Sequence, residues 1–113
     1  MGDNKEYLTH PEEMGSIHIS EEVLASIASG AANEVEGISG MMTLAGKKTA
    51  AKGVRLQMDE NGATIDLYVM IRFGYAIPEV AEKLQISVAS SVEAMTGFKV
   101  KAVNIHVGGV SIQ

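Results

Sequence analysis

Two histidines and an aspartate fall at positions where a sheet could bring them to one surface. Ile65, Leu67, Val69, Ile71 and Phe73 alternate with Thr64, Asp66, Tyr68, Met70 and Arg72. A period of two predicts a strand that turns Asp66 and Tyr68 away from its apolar face. Val103, Ile105 and Val107 do the same for Asn104 and His106, and Ile17 and Ile19 for His18. With the first and last strands adjacent, two imidazoles and a carboxylate would meet, as in a metal site or an acid–base set. The competing reading is a pair of solvated histidines on an open sheet face. It is the favoured one, because the chain has no nucleophile in a Gly-rich elbow, no HExxH and no paired-carboxylate spacing. No catalytic residue, cofactor or metal is therefore expected.

Gly40 to Thr49 superficially resembles a phosphate-binding loop, but five residues separate Gly40 from Gly46 where that motif has four. Lys48 stands where Ser or Thr would hold magnesium, and a strand follows instead of a helix whose N-terminus could face the phosphates. The expected reading is a basic loop. Residues 37–57 carry Lys47, Lys48, Lys52 and Arg55 and no acid, whereas residues 1–36 hold eight acids against one lysine. Such a loop can touch an anionic partner or lipid head groups through weak electrostatic contact. The overall charge of −5 excludes nonspecific nucleic-acid binding, and Tyr68 alone offers a stacking surface on the strands. Of seven methionines, Met58 and Met95 fit core positions, while Met41, Met42 and Met70 could form an adaptable contact. The expected interaction surface is thus Lys47, Lys48, Lys52, Arg55, Asp66, Tyr68, Arg72, Asn104 and His106.

The elements that must position these residues can be read from the same patterning. With 113 residues, 46% of them apolar, the chain fits one domain with a real core. It has no cysteine, which points to a reducing cytoplasm, and no signal peptide or apolar run long enough to span a bilayer. Residues 1–14 are polar and aperiodic and are expected as a flexible lead-in to a domain at 15–113. Gly15–Ile19 predicts a short strand. Ser20 is an N-cap, and Val23, Leu24, Ile27, Ala28, Ala31, Ala32 and Val35 mark a helix ending near Gly37. After a loop over 37–53, Val54, Leu56 and Met58 pair across the Asp59–Gly62 turn with the strand at 64–73. Pro78 opens a second helix with a stripe of Ile77, Val80, Ala81, Leu84, Val88, Val92 and Met95, and Gly97 closes it. A last strand contains Val103–Val107; Val100 has the opposite parity, which predicts a bulge near Ala102, and Gly108-Gly109 is expected to break the ladder. The class is α+β in the order β-α-β-β-α-β. Two helices cover one face of a small, mostly antiparallel sheet, with a ferredoxin-like split βαβ favoured.

The runs Phe73-Gly74-Tyr75-Ala76-Ile77-Pro78-Glu79-Val80-Ala81-Glu82, Val92-Glu93-Ala94-Met95-Thr96-Gly97 and Val103-Asn104-Ile105-His106-Val107 resemble the alkaline-shock protein family of Gram-positive envelope stress response proteins. Gly15–Val23 and Ala32–Ile38 agree, so the resemblance spans residues 15–112. It implies a non-enzymatic cytoplasmic scaffold that self-assembles and binds protein partners. One such partner could be membrane-anchored, holding the protein peripheral to the membrane without direct insertion. The family supplies no catalytic residues to carry over. The alternative function is a regulatory module that binds a metabolic enzyme or a small ligand.

Overall fold

The structure is a computed structural model that describes residues 7–42 and 53–112. Its elements are β1 (Tyr7–Glu12), β2 (Gly15–Ser20), α1 (Glu21–Asn33), β3 (Ile38–Met41), β4 (Val54–Asp59), β5 (Gly62–Arg72), α2 (Ile77–Thr96) and β6 (Val100–Ser111). β5 is the organising strand. Its odd-numbered residues Ala63, Ile65, Leu67, Val69 and Ile71 are all buried, and its even ones keep part of their surface exposed. β4 pairs antiparallel with its first half, from Val54↔Leu67 to Asp59↔Gly62, and β3 pairs antiparallel with its second half, from Ile38↔Ile71 to Met41↔Val69. β6 runs parallel along the whole other side, from Ala63↔Val100 to Arg72↔Ser111.

The class expected from sequence is the one observed: α+β, with both helices packed on one side of the sheet. α1 starts at Ser20, whose Oγ accepts the Val23 N–H at 3.2 Å, and Glu21 and Glu22 face the positive end of its dipole. α2 has Pro78 in its first turn and ends on Gly97 at φ +80°, whose N–H reaches the Glu93 carbonyl at 2.9 Å. Leu24, Ala28 and Ala32 of α1 and Leu84, Val88 and Val92 of α2 lie at helical spacing over the odd residues of β5. Fully burying a leucine or isoleucine contributes about 1.5–3 kcal/mol each, so this layer dominates the stability.

Several details depart from the sequence reading. Tyr7–Glu12, expected as lead-in, is a strand, and it pairs with β2 as a separate hairpin from Tyr7↔Ser20 to Glu12↔Gly15. β2 therefore does not enter the main sheet. The hairpin is tied down at His10, whose Nε2 donates to the Gly97 carbonyl at 3.2 Å and whose ring stands edge-on to Phe98. Leu8 and Ile19 pack against the core. Ile38–Met41, expected as loop, is β3, and α1 stops at Asn33 before Gly37. Val23, Ile77, Met58 and Met95 are exposed, not core. The bulge foreseen near Ala102 is present at Lys101; a second bulge at Gly108 lets the ladder continue where a break was expected. The Lys101 bulge aims its ammonium at Asp59 in the β4–β5 turn.

Leu84→Ala should lower the unfolding free energy by about 2–5 kcal/mol in urea titration. Gly97→Ala should cost about 1–2 kcal/mol for the left-handed conformation, since its Cβ also falls near the His10 ring. The Lys101 ammonium, the Asn61 N–H and the Gly62 N–H hold the exposed Asp59 carboxyl below the usual carboxylate range. A depressed carboxyl stabilises the fold above its unfolded pKa, and that contribution is lost as pH falls through the lower folded value. Lys101→Met should therefore flatten the stability-versus-pH curve below about pH 4 and leave its neutral-pH slope unchanged.

Candidate interaction surface

The parallel register of β5 and β6 sets Asp66 beside Asn104 and Tyr68 beside His106, all on the sheet face opposite the helices. One carboxylate oxygen, Asp66 Oδ1, accepts both the Asn104 Nδ2 hydrogen and the His106 Nε2 hydrogen, each at 3.1 Å. The Asp66 side chain is only 16% exposed, against 47% for His106, so the acid is the buried base of the cluster and the imidazole its outer wall. Tyr68 lies flat on the His106 ring, with centroids 4.5 Å apart and planes 11° from parallel. Strand pairing, a charge-assisted hydrogen bond and a ring stack together lock the imidazole in one orientation.

An oriented Asp–His pair is also the basic half of a nucleophilic triad. Asn104 shares Asp66 Oδ1 with the imidazole, and among the described residues no group of three His, Cys, Asp or Glu could hold a metal ion. His18 is not part of the cluster: it sits on β2, where its Nδ1 meets the Thr9 hydroxyl at 3.0 Å. With Nε2 facing Asp66, Nδ1 is the ring nitrogen left outside that bond. The arrangement offers a fixed polar contact surface.

The other expected residues frame this cluster. Arg55 on β4 is the register partner of Asp66 and is exposed, and Arg72 ends β5 in an exposed position next to the β5–α2 turn. Lys47, Lys48 and Lys52 lie outside the described residues. Beyond Tyr68, the surface turns apolar. The Met42 thioether lies where a Cβ on Gly108 would stand, and the Met70 methyl lies close to Gly109. The diglycine thus makes room for two methionines, an adaptable patch beside a rigid one. Their pairing was not legible from spacing, since Met42 and Gly108 meet only through tertiary structure.

A second apolar surface escaped the sequence reading. Val23, Ile27, Gly30 and Ala31 of α1 and Ser91 and Met95 of α2 line an open groove of about 670 Å³ on the outer side of the helices, with Glu22 and Glu34 beside it. The available signal was the apolar arc of each helix, broader than one sheet contact needs.

Removing the shared acceptor with Asp66→Ala should cost about 0.5–1.5 kcal/mol, since the two exposed donors can turn to water. A double-mutant cycle with His106→Ala should give a coupling of about 0.5–3 kcal/mol, and His106→Ala should shift the Tyr68 ring protons in NMR spectra.

Known proteins place this surface in context. Solved structures of MamM CTD share the fold: one superposes with a TM-score of 0.50 at 13% identity, covering 81% of this chain and 94% of that one. The uncharacterised protein YqhY of Bacillus subtilis is 33% identical over 105 residues, covering 86% of this chain and 78% of its own. The uncharacterised protein Spy1535 of Streptococcus pyogenes is 38% identical over 105 residues, covering 88% and 81%. No described helix is long and apolar enough to cross a membrane. The model of the alkaline-shock protein 23 family, described by a cell envelope-related function, matches residues 9–112, and the chain belongs to that family.

Proposed function

We propose that this protein is a non-enzymatic scaffold of the cell envelope, acting in envelope stress response and homeostasis by self-assembly and by binding protein partners through the open face of its sheet. The observation that carries the reading is the Asp66–Asn104–His106–Tyr68 cluster, in which two hydrogen bonds to Asp66 Oδ1 and a ring stack hold the side chains in place on the sheet face that the helices leave uncovered. Fixed side chains suit recognition, because they lower the ordering cost of binding. Arg55 and Arg72 at its margins, with Lys47, Lys48 and Lys52 of the basic loop, favour an acidic partner surface. The protein would act in the cytoplasm, and a membrane-anchored partner would hold it near the bilayer without insertion.

A photo-crosslinking residue at position 68 or 72 should capture a partner in the envelope fraction of cells, and Asp66→Ala should reduce the yield at least tenfold. Equal capture from position 86, on the exposed outer side of α2, would contradict the sheet-face reading.

A second reading, a regulatory module for a small ligand or a metabolic enzyme, draws support from the groove lined by Val23, Ile27 and Met95. Chemical-shift changes confined to those residues on adding a metabolite extract would favour it over the scaffold.

A further inference from the structure

The outer edge of β6 has donors and acceptors that no described strand meets, and α2 covers only part of them. In a parallel ladder alternate residues direct their backbone groups to alternate sides. The Ala63 N–H bonds the Lys99 carbonyl and the Phe73 N–H bonds the Ser111 carbonyl, which fixes the inward parity at each end of β6. Between the bulges at Lys101 and Gly108, the residues facing outward are Val103, Ile105 and Val107. Two α2 side chains confirm the direction from outside: Glu93 Oε2 accepts the Val100 N–H at 2.8 Å, and Gln85 Nε2 donates to the Val103 carbonyl at 3.0 Å. The first half of the edge is thereby capped. Ile105 and Val107 are left with outward backbone groups and no partner strand among the described residues.

Natural edges are commonly protected by charge or proline. Residues 102–112 contain no Asp, Glu, Lys, Arg or Pro, whereas β4 on the opposite side of the sheet carries Arg55 and Asp59. From this edge we infer that β6 pairs antiparallel with β6 of a second copy across a two-fold axis at His106, an assignment that rests on the self-assembly reading above. The register follows from the caps. An antiparallel pairing that joins both open residues of one copy to both of the other sets Ile105 against Val107 twice, with residue 106 opposite itself. On the helix side, the half-buried Ile105 and Val107 side chains then extend the core across the junction. On the open face, the two His106 rings meet, and the two polar clusters become one continuous surface. The same parity makes 106↔106 a non-hydrogen-bonded pair, with Cα atoms about 4.5 Å apart.

The chain has no cysteine, so single cysteines report this geometry without background. A non-hydrogen-bonded pair lies within the Cα spacing of about 4.4–6.8 Å that a disulfide requires. Under mild oxidation, His106→Cys should form a disulfide-linked dimer in high yield, and Gln57→Cys on exposed β4 should not. Ile105→Pro removes an outward N–H but no bond to β5, so it should keep the far-UV spectrum and a cooperative melt while weakening self-association at least tenfold in sedimentation equilibrium. A wild-type protein that assembles, with no cross-link at 106 and no change in a folded Ile105→Pro, would overturn the edge pairing and leave the scaffold reading standing. A wild-type protein that stays monomeric at all concentrations would overturn both.

Discussion

β5 has no free edge, and that constraint propagates through the whole molecule. β3 and β4 share one of its sides and β6 occupies the other, so its backbone is satisfied throughout its length. Its odd residues must then be covered, because a one-residue slip would turn five buried apolar side chains to solvent and Asp66 and Tyr68 into the core. The two helices supply that cover from one side only. The even residues remain as the other face, and their chemistry is inherited from register: Asp66 meets Asn104, and Tyr68 meets His106, because β6 is parallel and in step with β5 at that height.

A sheet covered on one side has two ways to interact, through its bare face and through its edges. Here the two are adjacent. The bare face holds an acid that is mostly buried under its own hydrogen-bond donors, which fixes its position. The edge is half capped by Gln85 and Glu93 of α2, which confines pairing to the stretch next to that face. Joining edges would therefore enlarge the bare face instead of hiding it. That geometry suits a scaffold of a family with a cell envelope-related function.

Much of this was readable from the chain because burial on one face imposes a period. The β4–β5 hairpin, the Pro78 start, the Gly97 stop and the outward parity of Asp66, Tyr68, Asn104 and His106 all follow from alternation and capping. The misses share a cause. β1 is polar, and its strand is defined by pairing with β2 and by the His10 contact at the end of α2, neither of which leaves a local pattern. β3 is short and contains a glycine, so it looked like the loop that follows it. Met95 and Val23 sit at helical spacing, but periodicity cannot say how wide the layer beneath a helix is. His18 and His106 share a strand parity without sharing a sheet, and parity carries no information about strand order.

Amide hydrogen exchange followed from dilute to concentrated protein tests the central claim most directly, since it reads the outward backbone N–H groups in the unmodified chain. The account predicts that Ile105 and Val107 exchange quickly when dilute and become protected on concentration, while the β5 amides stay slow throughout. Protection that instead appears on α1 and α2 around Val23, Ile27 and Met95, with Ile105 and Val107 unchanged, would contradict it.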